Sequence, residues 1–193
     1  MKKSIIRLVL KLAGWKVVGT PPPDVKRYVL VSYPHTSTWD FFLLLSFARL
    51  TDMPLKFMIK DTMFRFPLGT IMRALGGIPI DRSTRQNTVE KMAQAIRSAD
   101  RIALSVPPEG TRKYVPHFKT GFYYVALSAE VPLLLSFIDG PNKCFGVGPL
   151  VHLTGDPNVD LGQMRAFYGE MKGVNPEKTG PIAFKEAAPS SPI

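Results

Sequence analysis

The pair in this chain best equipped for chemistry is His35 and Asp40, five residues apart in the string PHTSTWD. A carboxylate beside a neutral imidazole fixes its tautomer and steadies the imidazolium that forms. The ring can then take a proton from an alcohol at neutral pH. Five residues are about 140° round an ideal helix, so the two side chains meet only across a bend. His35 is therefore expected in a loop and Asp40 in the first helical turn. A plainer role is open to the same residues, since Ser37-x-x-Asp40 reads as a capping box, and the two roles are compatible.

Two later strings add cations. In GGIPIDR (Gly76 to Arg82), Arg82 could grip a phosphate or the phosphopantetheine of an acyl donor, with Asp81 holding it. Ser83-x-x-Gln86 there is also a plain helix start. In VPPEGTR (Val106 to Arg112), Glu109 and Gly110 form a tight turn that can expose backbone N–H groups. Thr111 and Arg112 follow, the latter a bidentate phosphate donor, and Glu109 could align Arg112 or a substrate hydroxyl. Lys113 and Lys119 extend the positive charge. Phe118, Phe122, Tyr123 and Tyr124 behind them suit either an acyl groove or, more simply, a helix core. His117 and His152 have no recognisable partner. The chain lacks H-E-x-x-H, paired cysteines, a P-loop and G-x-G-x-x-G, so neither a metal nor a nucleotide cofactor is expected. It also lacks the G-x-S-x-G of a serine-hydrolase elbow.

The elements that must position these residues alternate. Strands are predicted over 27–33, 55–60, 78–80, 101–106 and 132–138, with weaker ones over 143–147 and 150–153. Helices are predicted over 39–50, 84–98, 121–129 and 160–171, with a broken helical segment over 62–75 around Pro67. Alternation implies a single α/β domain, a mostly parallel or mixed sheet flanked by helices. All three loaded loops start directly after a strand, where ligands of open α/β sheets bind.

With 193 residues, 45% hydrophobic and 21% charged, the chain is an ordinary globular protein of one domain. Its single cysteine, Cys144, excludes an internal disulfide. A net charge of +10 calls for an anionic partner: nucleic acid, anionic lipid or a phosphorylated substrate. No run reaches the ~18 apolar residues of a spanning helix. At about 100° per residue, Ile5, Leu8, Val9, Leu12 and Trp15 share one face, opposite Lys3, Arg7, Lys11 and Gly14. Residues 1–18 thus read as an amphipathic helix lying on an anionic membrane surface, ended by Thr20-Pro21-Pro22-Pro23. Residues 24–185 form the globular domain, and 186–193 a disordered tail.

Taken together, HTSTWD, GGIPIDR, PEGTR and the pair Val131-Pro132 occur in the order seen in the glycerolipid acyltransferases, which this chain resembles over residues 28–140. The resemblance implies His35 as general base and Asp40 as its orienting partner. It implies Arg82, Glu109, Gly110, Thr111 and Arg112 around the acceptor's phosphate or polar head, and Val131 and Pro132 shaping the acyl site. It implies no metal and no cofactor beyond acyl-CoA or acyl carrier protein as co-substrate. Pro34 stands where many members have Asn, and Pro79 where Phe is common, which bears on the acceptor more than on the chemistry.

The expected activity is transfer of a fatty acyl group from a thioester to a hydroxyl of a lysophospholipid or glycerol-phosphate-type acceptor. The expected location is peripheral, at the cytoplasmic face of the cell membrane, with no nucleic-acid partner. Two rival readings are a non-catalytic basic module for anionic lipid or nucleic acid, and a thioesterase that passes the acyl group to water.

Overall fold

In a computed structural model of the chain, residues 2–65, 68–80 and 88–185 are described. Helices α1 (Lys3–Leu12), α2 (Trp39–Thr51), α3 (Leu68–Ala74), α4 (Thr88–Arg97), α5 (Gly121–Ala129) and α6 (Pro157–Tyr168) surround one sheet. Its strands are β1 (Lys16–Val18), β2 (Arg27–Tyr33), β3 (Leu55–Lys60), β4 (Gly77–Ile80), β5 (Ile102–Val106), β6 (Leu133–Asp139) and β7 (Cys144–Val151). They lie in the order β1-β7-β6-β2-β5-β3-β4. Strands β2 to β6 are mutually parallel, β7 runs antiparallel to β6, and β1 runs parallel to β7. The single α/β domain with a mixed sheet is the expected class.

Residue alternation in β2 sets the two layers. Val29, Val31 and Tyr33 point to the side covered by α4, α5 and α6, while Tyr28 and Leu30 point toward α1 and α2. Central strands buried on both faces need this run of β-branched and aromatic residues.

The first helix is shorter than expected and is part of the body. It ends at Leu12, and Gly14, in the left-handed region at φ 77°, turns the chain into β1 against β7. Ile6 and Leu10 are buried against α2 and the sheet. Lys3 pairs with Asp52, the C-cap of α2. The face expected to meet a membrane, Ile5, Leu8, Val9 and Leu12, stays exposed, with Leu12 at 79%. Trp15 instead folds back onto the edge of Phe145. The two weak strands expected over 143–153 are one, β7. Pro149 is tolerated there because β1 pairs only with Cys144 to Gly146, leaving no partner in need of its missing N–H on that side. The expected tail, 186–193, lies outside the described residues.

Candidate active site

Parallel pairing of β2 with β5, Val31 opposite Val106, sends both following loops out of the same sheet edge. The Tyr33–Pro34 peptide is cis, and His35 comes next. The bend expected between His35 and Asp40 is present: His35 precedes α2 and Asp40 is its second residue. His35 Nδ1 lies 3.2 Å from Asp40 Oδ2. The same oxygen accepts from the backbone N–H of Thr36 at 2.7 Å and of Ser37 at 2.8 Å. Only the acid's half of the expected capping box forms: Asp40, 3% exposed, holds the turn ahead of α2, while the N-cap is Thr38 without a side-chain bond and the Ser37 hydroxyl accepts from Trp39 N at 3.2 Å instead of Asp40 N. With Nδ1 on the side of the Asp40 carboxylate, Nε2 is the ring nitrogen left to take a proton.

The PEGTR loop closes onto this turn at two points. Glu109 Oε1 accepts the backbone N–H of His35 at 2.8 Å, and Arg112 Nη1 donates to Thr38 Oγ1 at 2.9 Å. Glu109 therefore does not align Arg112, as its sequence position allowed. Gly110, at φ 64°, turns the chain between them, so that Glu109 is buried and Arg112 exposed. A β-carbon at Gly110 would also collide with the Lys119 side chain. Thr111 is half-buried, its Oγ1 accepting weakly from Lys113 N at 3.4 Å.

Behind His35 a cavity of about 540 Å³ runs between α2 and the sheet. That is within the size of small-molecule sites, about 300–1,000 Å³. Phe41, Leu44 and Phe47 of α2, Phe57 and Ile59 of β3, and Phe145 of β7 wall it. His35, Thr38, Asp40 and Arg112 line it as well, so the dyad and one cation share an apolar chamber.

The family model for acyltransferases matches residues 16–135. The chain belongs to the acyltransferase family. The protein is accordingly an acyltransferase by family, and its fold has a solved counterpart. That structure is described as the 1-acyl-sn-glycerophosphate (LPA) acyltransferase, PlsC, from Thermotoga maritima. The TM-score is 0.59 at 17% identity, covering 86% of this chain and 74% of that one. No curated protein matches.

Not every residue implied by the family strings comes to this cavity. Val131 and Pro132 precede β6 at its amino end, where Leu133 pairs with Val29. His35 leaves the other end, beyond Tyr33, so about four strand residues (roughly 13 Å) separate the two levels. Val131 and Pro132 do not line the cavity; Pro132 instead supplies a carbonyl to Val29 N at 3.1 Å. Asp81 and Arg82 lie outside the described residues, just after β4 ends at Ile80. Phe118, Phe122 and Tyr123 pack in the core on the opposite face, and Tyr124 is exposed. His117 and His152 are exposed, and among the described residues no cluster of His, Cys, Asp or Glu could hold a metal.

The sequence did not single out several residues that build the site. Thr36 is buried, its Oγ1 accepting from Asn175 N at 3.1 Å and its carbonyl from Asn175 Nδ2 at 2.8 Å. The segment after α6 thereby pins the turn that carries His35 from behind. Ser32, Ser105 and Ser136 line the cavity floor. Their signal was present only as serines in otherwise apolar strands.

Glu109 gives the first testable consequence. Burial pushes its carboxyl from about 4.5 up to about 7, the bond from His35 N–H opposing, and Oε2 has no partner among the described residues. The folded state thus holds this proton more tightly than the unfolded one. Stability from this group is present below about pH 4.5 and lost as pH rises to about 7, the loss being complete above that. Glu109→Gln keeps an oxygen for His35 N–H and removes the titration. Its urea midpoint, relative to the native chain, is expected to rise between pH 5 and pH 8. Midpoints that run parallel across that range would contradict this.

Proposed function

We propose that the protein moves a fatty acyl group from a thioester, acyl-CoA or acyl carrier protein, to a hydroxyl of a lysophospholipid or glycerol-phosphate-type acceptor. The observation that carries this reading is the His35–Asp40 dyad at an apolar chamber large enough for an acyl chain, with Arg112 beside it. The acyl chain lies between α2 and the sheet, and Arg112 receives the anionic head of the acceptor. His35 Nε2 takes the acceptor's hydroxyl proton as that oxygen attacks the thioester carbonyl. Collapse of the tetrahedral intermediate breaks the C–S bond, and the imidazolium returns its proton to the leaving thiolate. General base catalysis of this kind contributes ~10²- to 10⁴-fold, and holding both substrates in line adds to it. The test is a panel of lysophospholipids and glycerol 3-phosphate with mixed acyl thioesters, read by mass spectrometry. A new acylated phospholipid supports the proposal; thioester consumption without one contradicts it.

The work site in this reading is the cytoplasmic face of a membrane. Among the described residues no helix is long and apolar enough to cross a bilayer. The support for surface docking is an asymmetry. Residues 1–80 hold twelve Lys and Arg against four Asp and Glu, or +8 of the total +10. Exposed apolar side chains concentrate in the same stretch: Ile5, Leu8, Val9 and Leu12 on α1, Trp39 and Phe42 on α2, and Leu68 and Ile71 on α3. Exposed apolar residues in a cation-rich stretch suit an anionic interface. Leu8→Asp with Leu12→Asp leaves the buried Ile6 and Leu10 in place. It is expected to weaken binding to phosphatidylglycerol vesicles about tenfold or more in co-sedimentation. Unchanged partitioning would count against docking through α1.

A further inference from the structure

Three serines stand on the cavity floor where apolar side chains would be expected. Ser32 of β2, Ser105 of β5 and Ser136 of β6 come from three neighbouring strands and all line the chamber. The inward positions deeper along the same strands are Leu30, Ala103 and Leu134. The serines form a row: Ser32 Oγ and Ser105 Oγ are 2.8 Å apart, and Ser136 Oγ is 3.4 Å from Ser32 Oγ. Ser136 Oγ also donates to the Val31 carbonyl at 3.1 Å.

Room for a chain does not require hydroxyls. Alanine or glycine would leave at least as much space without bringing polar groups against phenylalanine and isoleucine, a liability unless they are hydrogen-bonded. Each hydroxyl has one proton and two lone pairs. Even with every proton engaged within the row or on Val31, lone pairs remain for an occupant that brings its own O–H donor. A plain hydrocarbon chain brings none.

We infer that the preferred acyl chain carries a hydroxyl group near its thioester end, and that the Ser32–Ser105–Ser136 row receives it. This rests on the acyl-chain reading of the chamber. Position supports it: Ser32 precedes His35 by three residues, at most about 10 Å of extended backbone. With the thioester carbonyl at His35, the row meets the first several carbons of the chain. The row is then a specificity device at the reacting end of the chamber, distinct from the aromatic walls that take the rest of the chain.

The test compares kcat/KM for the myristoyl and β-hydroxymyristoyl thioesters of coenzyme A, with one lysophospholipid acceptor, in the native chain and in Ser32→Ala/Ser105→Ala. The native chain is expected to favour the hydroxylated donor about 3- to 10-fold, the worth of one net hydrogen bond. In the variant that ratio falls to about one, since alanine keeps the space and removes the partners. A native ratio of one, or a ratio the variant leaves unchanged even while both rates drop, overturns the inference. Turnover of the plain thioester without preference sinks the serine row alone; thioester consumption with no acylated lipid sinks the acyl-transfer reading. Calorimetric binding of myristate against β-hydroxymyristate to both proteins reads the same ratio without catalysis, and decides the matter where turnover is too slow to measure.

Discussion

Replacing His35 with alanine is expected to lower acyl transfer by ~10²- to 10⁴-fold while leaving the fold intact. The fold should survive because the structural duties at this position are carried by the backbone. The His35 N–H is held by Glu109, and the turn beyond it by Asp40 and Asn175. The ring itself is only half-buried, and among the described residues its one polar contact is with Asp40. Thermal unfolding of His35→Ala should therefore stay close to that of the native chain while thiol release collapses. Binding of the acyl donor should persist, because the chamber walls come from α2, β3 and β7. Retained turnover would show that another group takes the proton.

The second large effect belongs to Asp40. In Asp40→Asn an amide oxygen at the Oδ2 position can still accept from Thr36 and Ser37, so the start of α2 should hold. What disappears is the negative charge 3.2 Å from Nδ1 that, in the proposed step, stabilises the imidazolium. We expect kcat to fall by ~10²-fold or more with KM for the donor little changed, the pattern of an interaction made in the transition state. Asp40→Ala should do worse, since it also strips one buried and one part-buried backbone N–H of their acceptor. If Asn and Ala variants lost activity only in proportion to lost stability, Asp40 would be a helix cap and nothing more.

Much of this architecture could be read before any coordinates. The runs RYVLVSY, LKFMIK and IALSV are dense in β-branched and apolar residues and became β2, β3 and β5 nearly as bounded. Their alternation with helices was enough for the sheet class, and the rule that ligands sit beyond strand carboxyl ends brought His35, Glu109 and Arg112 together. Non-local pairing was not legible. Lys16, Val17 and Val18 were read as the end of the first helix although Lys16 falls on its apolar face and Val18 on its cationic one, and it is β7, more than a hundred residues on, that makes them a strand. Val131 and Pro132 are near the motifs in sequence order but at the far end of β6, because strand direction, not spacing, decides which edge a residue reaches. The serine row was hidden for a related reason. Its members come from strands apart in sequence, and each alone is an unremarkable strand residue. Glu109 was visible as chemistry, as a partner for Arg112 or for a substrate hydroxyl, but its bond to the His35 N–H was not, since the left-handed turn at Gly110 that parts it from Arg112 is a matter of one dihedral angle.

The central claim is that His35 directs the acyl group to an acceptor hydroxyl held at the chamber and not to water. The most direct test measures, on one sample, the free thiol released from the donor and the ester formed on a lysophospholipid. The expected result is one ester per thiol, with release that rises with acceptor and vanishes in His35→Ala. Thiol release that proceeds without acceptor, or outruns ester formation, would contradict the account and make the protein a thioesterase.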